Sequence, residues 1–365
     1  MSRRGYWLSE DASRRLEGIV ERIEEKASVA IDPSELEGVH ERLNVREVLA
    51  DLPEGFSEDD FVGVVKLAML TECATDSYAA VFYEGARDYN APWLGRFTER
   101  TWVPDEYTHT APFKSMLLSV GFEEAELDRE IRQVLDKTYV HSCGKTPVEL
   151  TTFGILQEFL TDHWHGLIAK MLKNRAPHAA SLATRVKRRE TLHYIWYKEM
   201  TAAQIEENPE LLHLVAATGA SFNMPGVSLT PEYQLRALEW MPTMGANLDR
   251  NSREIVRHLF DIAGNTQRAG EMLLEVAALR GMTLGKVSAE RAKAVLDRLG
   301  GRGYTLLGEA VLECVGLPIP AEIQARADAR LAGGVPTIGA LQERLRGMLR
   351  TSIARRIDLS SLSKA

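Results

Sequence analysis

Two stretches of this chain carry the same chemical pattern. Glu72 opens "ECATD" and Glu158 opens "EFLTD", both Glu-x-x-Thr-Asp; each is followed by a Glu-x-x-His, Glu106/His109 lying 34 residues after Glu72 and Glu190/His193 lying 32 after Glu158. A Glu-x-x-His pair on a helix puts both side chains on one face about one turn apart, where they can bind one ion. A bridged two-metal site in a helical bundle takes one Glu from each of two helices and a Glu-x-x-His from each of two others. The repeat supplies that set, so it constrains the fold to helices that converge on one point.

Glu-x-x-His alone is weak, and the chain holds four such pairs, the other two being Glu37/His40 and Glu210/His213. The count back from Glu210 reaches Ala176 to His178, and Glu37 has no acid at the matching distance, so both read as surface pairs. The rival reading of all these acids and histidines is a set of solvated helix faces; their recurrence in matched order favours the metal site. Its ligands are then Glu72, Glu106, His109, Glu158, Glu190 and His193, with Glu106 and Glu190 as the expected bridges. Carboxylate-rich ligation with one imidazole per metal suits iron or manganese better than zinc and leaves positions open to dioxygen.

Apolar residues recur at intervals of three and four through most of the chain, with few alternating stretches, which predicts an all-α protein. Ser57 and the acids after it read as the cap of a helix reaching to about residue 90. Further helices are expected at 147–175 and 177–207, with a shorter pair at 92–120 interrupted by Pro104 and Pro112. "SFNMPGVSLTPEYQ" at 221–234 reads as irregular, helices resume over about 231–284, and "LGGRGY" and "LAGGVP" read as hinges. The expected organisation is an N-terminal helical arm at 1–44, a bundle at 45–270 and a C-terminal helical extension at 271–365.

At 365 residues and 45% hydrophobic, the chain can bury a sizeable core, while a net charge of −8 argues against a general nucleic-acid binder. No run approaches the roughly 20 apolar residues of a membrane helix. The N-terminus reads as no secretory signal. Three dispersed cysteines, Cys73, Cys143 and Cys314, suit neither a disulfide framework nor a CxxC site, and fit a reducing cytoplasm.

Over roughly residues 45–270 the chain resembles the soluble acyl-carrier-protein desaturases, ferritin-like di-iron oxidases. The likeness rests on "LPEGFSEDDFVGVVKLAMLTECATDSY", "PWLGRFTERTWVPDEYTH", "LQEFLT", "RRETLHY" and "FNMPG". It implies a ferritin-like bundle holding two iron ions on the six ligands, a homodimer, a ferredoxin-like electron donor, and an acyl chain presented by acyl carrier protein. Dioxygen would bind between the irons, and an oxidant derived from it would remove hydrogen from an unactivated chain. Thr161 stands where the family has a threonine beside the iron and is the candidate proton relay.

Three positions depart from the family. An acid before the second Glu-x-x-His, expected to bond a ligand histidine, is here Arg189; the first motif keeps Asp105, which can serve His193. Asp76 and Asp162 replace Pro or apolar residues. They are expected to face the site, either as acceptors for His109 and its neighbours or as signs of a more polar pocket. Pro104 is expected to kink its helix. His163 and His165 read as core or pocket histidines, and "RVKRRE" at 185–190 as either a solvated face or a dock for an acidic carrier. The rivals to the desaturase are a di-iron monooxygenase oxidising a more polar intermediate and an iron-oxidising or storage protein.

Overall fold

The computed structural model describes residues 6–27, 43–52 and 56–246, with single positions at 31, 36, 254 and 262. Helices and no strands occur among them, so the fold is an all-α bundle. None of these helices is long and apolar enough to cross a membrane. The extension expected at 271–365, its two hinges and the Glu37/His40 pair lie outside the described residues.

Contacts divide the chain into two compact units, one of which holds residues 9–200 and 224–247 and therefore every candidate ligand. It begins with α1 (Glu10–Lys26), capped by the Ser9 hydroxyl accepting from the Ala12 N–H. Ala12, Leu16, Ile19, Val20 and Ile23 form its buried stripe, at the three- and four-residue spacing of an amphipathic helix. Arg96 of α5 (Pro92–Phe97) fastens this helix through Glu24 at 2.6 Å and Glu21 at 2.9 Å. In the second unit, the Tyr6 hydroxyl donates to Gln204 at 2.9 Å and Asn208 caps the 3-10 turn Pro209–Leu211.

The helix expected from Ser57 to about residue 90 is two. After the short α2 (Val45–Leu49), α3 (Glu58–Glu72) starts with a reciprocal Ser57/Asp60 capping box, then stops at the candidate ligand Glu72; α4 (Thr75–Asp88) follows two residues later. At the joint, the carbonyls of Thr71 and Glu72 accept from the Tyr78 and Thr75 hydroxyls at 3.0 and 3.1 Å, so side chains satisfy backbone groups there.

Pro104 does not simply bend its helix. Between α5 and α6 (Val103–Glu106) lies a π turn, Thr98–Trp102, in which the Val103 N–H reaches back five residues to the Thr98 carbonyl. A proline lacks the N–H that would continue the ladder and its ring crowds the carbonyl four residues before it; the wider turn accommodates both. α7 (Thr110–Val120) and α8 (Glu124–Leu135) follow.

The two long helices appear where expected, α9 at Pro147–Leu172 and α10 at Pro177–Glu207. A Thr146/Glu149 capping box and Pro147 at the first position start α9. α11 (Leu212–Ser221) ends where the stretch read as irregular begins, that stretch holds only the one-turn α12 (Gly226–Leu229) before α13, and α13 (Pro231–Thr243) starts where helices were expected to resume.

Gly154 of α9 lets α10 approach closely, since a Cβ there would stand 2.6–2.7 Å from the Tyr197 ring. Tyr197 is fully buried and packs edge-on against Phe97 at 5.2 Å, so its ring has little room to retreat. Gly154→Ala should therefore destabilise the bundle by about 1–3 kcal/mol through overpacking. Denaturant unfolding checks this, and an unchanged midpoint would mean that the ring moves freely.

Candidate metal centre

Five helical segments deliver the six residues singled out from the repeat. Glu72 ends α3, Glu106 ends α6, His109 stands at the start of α7, Glu158 lies within α9, and Glu190 and His193 lie within α10. All six are buried, none more than 5% exposed. Their ligating atoms fall into two overlapping groups, each within 4.8 Å: Glu72, Glu106, His109 and Glu190, and Glu106, Glu158, Glu190 and His193. Glu106 and Glu190 belong to both.

The two Glu-x-x-His pairs reach this arrangement differently. Glu190/His193 sits in uninterrupted α-helix, whereas the residues from Tyr107 to His109 form a tight turn. There the Thr108 and His109 N–H groups bond the carbonyls of Asp105 and Glu106, three residues back. With about three residues per turn, positions i and i+3 eclipse, so the turn still stacks His109 on Glu106. Pro112, lacking an N–H, cannot join Thr108 to the following helix.

His109 Nδ1 lies 2.9 Å from Glu190 Oε1 and 3.8 Å from Glu72 Oε2. His193 Nδ1 lies 2.9 Å from Glu106 Oε1 and 3.8 Å from both Glu158 Oε2 and Glu190 Oε2. Yet His109 Nδ1, His193 Nδ1, Glu106 Oε1, Glu158 Oε2 and Glu190 Oε1 make no hydrogen bond. Buried polar atoms ordinarily find partners, and lone pairs that converge without them are what a cation satisfies.

Charge leads to the same place. Burial penalises each charged imidazole, but the carboxylates of Glu190 and Glu106 around His109, and Asp105 and Glu106 around His193, more than offset it and raise both pKa values well above the usual histidine range. For Glu190, burial is outweighed by the charge of His109 and the pKa falls; Glu158, facing burial and Glu190, is pushed up. Four carboxylates therefore compete for whatever positive charge enters. Two divalent cations would neutralise them with both imidazoles uncharged, and hard oxygen donors of this kind suit iron or manganese.

Around this core, Asp105 does serve His193 as expected: its Oδ2 stands 2.8 Å from His193 Nε2. The same oxygen accepts from Arg189 Nε at 2.6 Å. Burial pushes the Asp105 carboxyl up, but the bond from His193 and the positive surroundings win and hold it below its ordinary value.

Two partners were not assigned from sequence. Trp102, in the π turn, donates its indole N–H to Glu158 Oε1 at 3.1 Å. His165, read as a core or pocket histidine, places Nε2 3.0 Å from Glu72 Oε1 and 3.6 Å from Glu190 Oε1, with its ring stacked on Phe113. Its seven-residue offset from Glu158 gave the face but not the partner. Thr161 is buried, and its hydroxyl is within 3.1–3.2 Å of the Gln157 and Glu158 carbonyls of its own helix.

Other expectations are corrected. Asp76 does not face the site: the break after Glu72 turns it to the surface, where it accepts from the Tyr107 hydroxyl. Asp162 is part-buried against α10, bonded to Lys187 at 2.8 Å and to the Thr191 hydroxyl. Neither bonds a ligand. The "RVKRRE" run is not one free basic patch either, because Lys187 is paired with Asp162 and Arg189 is buried on Asp105. Glu210 starts a 3-10 turn in the other compact unit, outside the cluster.

Asp76→Asn should therefore leave metal content unchanged. Asp162→Asn should also keep the metal and cost roughly 1 kcal/mol or less, since its partner Lys187 is partly exposed. Metal analysis beside thermal unfolding checks both, and loss of metal from either variant would show that these carboxylates act on the ligands.

No curated protein matched the chain. A family model described as fatty acid desaturase matches residues 33–259, a span that contains all six clustered residues and both halves of the repeat. That span is more than half of the 365 residues, and the chain belongs to the fatty acid desaturase family.

Proposed function

We propose that this protein is a non-heme di-iron oxidoreductase that uses dioxygen to desaturate an acyl chain carried on acyl carrier protein. The observation that carries the proposal is the buried cluster of four carboxylates and two imidazoles, two of the carboxylates shared between both ligand groups. Membership of the fatty acid desaturase family makes the reaction an oxidation and supports an acyl substrate. The carrier, the second iron and the electron donor, a ferredoxin-like protein, belong to the proposal, as does a cytoplasmic homodimer.

When bound, an iron pair would supply reduction of dioxygen and removal of hydrogen from an unactivated carbon. This chain's residues do the rest. Glu72 and His109 would hold one ion, Glu158 and His193 the other, and Glu106 and Glu190, which belong to both groups, would contribute to each. His165 holds one oxygen of Glu72, and Trp102 holds one oxygen of Glu158, limiting how each carboxylate can turn. Fully buried Trp102, Phe97 and Tyr197 keep water from one side of the ligands. Thr161 would relay a proton by turning its hydroxyl away from its own helix carbonyls.

The polar-substrate alternative drew on Asp76 and Asp162, and their placement on Tyr107, Lys187 and Thr191 gives it no support. Docking of an acidic carrier through residues 185–190 loses two of its four cations to internal pairs, leaving Arg188 as its exposed member.

Glu106→Ala and Glu190→Ala should each remove most bound iron, while Glu210→Ala should retain it. Incubation of the wild type with an acyl-loaded carrier, iron, dioxygen and a reductase system should yield a product lighter by two hydrogens in mass spectrometry. Full iron content in both ligand variants would end the di-iron reading; a product heavier by one oxygen would replace desaturation by hydroxylation.

A further inference from the structure

The sequence repeat leads to an expectation of equal halves, and the outer faces of the two imidazoles break it. In the first motif the residue before the glutamate is Asp105, and it bonds the histidine of the second motif, His193, at 2.8 Å. The corresponding residue before Glu190 is Arg189. A carboxylate there would be placed to return the same service to His109. The guanidinium instead crosses to Asp105 and bonds the oxygen that already accepts from His193.

His109 is left without an acceptor. Its Nε2 is buried and makes no hydrogen bond, and Asp105 Oδ1 stands 3.9 Å away, beyond hydrogen-bonding distance. The carboxylate of Asp105 thus lies between both imidazoles and is held to one of them by Arg189. The ligand carboxylates do not share this imbalance, since Glu72 is held by His165 at 3.0 Å and Glu158 by Trp102 at 3.1 Å. Only the imidazole supports differ.

We infer that the two metal positions are unequal by construction: the His193 position fills first and tightly, and the His109 position fills second and more weakly. The inference rests on the di-metal reading. An outer carboxylate fixes the tautomer of a ligand imidazole and strengthens its donor nitrogen, and losing one typically lowers metal affinity about ten- to a hundredfold. His193 has that support and His109 does not. Arg189 withdraws some electron density from Asp105, which reduces the difference, but it also fixes the carboxylate on His193 with a charge-assisted bond, so the order is kept. A chain loaded with one equivalent of cation should therefore hold it on Glu158, His193 and the shared carboxylates.

The test adds Co2+ stepwise, without dioxygen, to metal-stripped full-length protein and follows calorimetry and visible absorption. Two cations per chain are expected, the first bound about ten- to a hundredfold more tightly. His109→Ala should keep the tight step and lose the weak one, and His193→Ala should lose the tight step. Asp105→Asn leaves the Arg189 charge buried and can unfold the chain, so it is paired with the double variant Asp105→Asn/Arg189→Met, which removes both charges. The double variant should weaken the first step toward the second while leaving the second in place. Two cations taken up with one common affinity, or a tight step that survives His193→Ala, would overturn the inference and leave the di-metal reading standing. Fewer than two cations in the wild type would overturn both.

Discussion

Four glutamates inside one helical unit are the constraint around which the rest of the structure is arranged. Glu72, Glu106, Glu158 and Glu190 are each 5% exposed or less, and their oxygens converge within a few ångströms. Unbalanced, such a cluster would cost several kilocalories per mole for each charge taken from water. Without a cation, the two clustered imidazoles and His165 can offset part of that charge as imidazolium ions; two divalent cations would offset all of it with the imidazoles uncharged. Asp105 and Arg189, also buried, cancel each other at the edge of the site and add nothing to the debt. The fold accordingly brings together carboxylates whose mutual repulsion a bound cation would relieve.

Irregular backbone does much of the holding. Glu72 is the last residue of α3, Glu106 the last of α6, and Trp102 the last of the π turn that accommodates Pro104. These three departures from a continuous α-helix thus fall at a clustered glutamate or at a side chain bonded to one. A regular helix between residues 92 and 106 would carry the indole of Trp102 to a different angle, since a π turn shifts everything after it by one residue. The same segment anchors α1 through Arg96, so the N-terminal helix braces the backbone that presents the indole to Glu158.

Much of this was legible in the sequence, and the exceptions have physical causes. α9 and α10 fall near the expected limits because a proline opens each, a capping box also marks the start of α9, and periodicity is sustained through both. The six clustered residues were found because a repeat in matched order is a stronger signal than any single Glu-x-x-His. The joint at residues 73 and 74 was missed because Thr75 and Tyr78, whose hydroxyls satisfy its carbonyls, are unremarkable helix residues until the fold brings them round. Pro104 announced an irregularity without giving its form. Trp102 and His165 acquire partners 56 and 93 residues away, a separation that local spacing does not encode.

The repeated Glu-x-x-Thr-Asp shows how far identical sequence can diverge once backbone differs. In α9 the pentad stays helical, so Asp162 sits one turn from Glu158 and bridges to Lys187 and Thr191 of the neighbouring helix. In the first copy the helix ends at the glutamate itself, and Asp76 rotates out to Tyr107, a residue of the tight turn that stacks His109 on Glu106. Thr161 caps carbonyls inside a continuous helix, while Thr75 repairs a break. Only the glutamates keep one role in both copies, because only they answer to the shared cluster. The two aspartates answer to whatever lies beside their own helix, and for that reason their recurrence says little about the substrate.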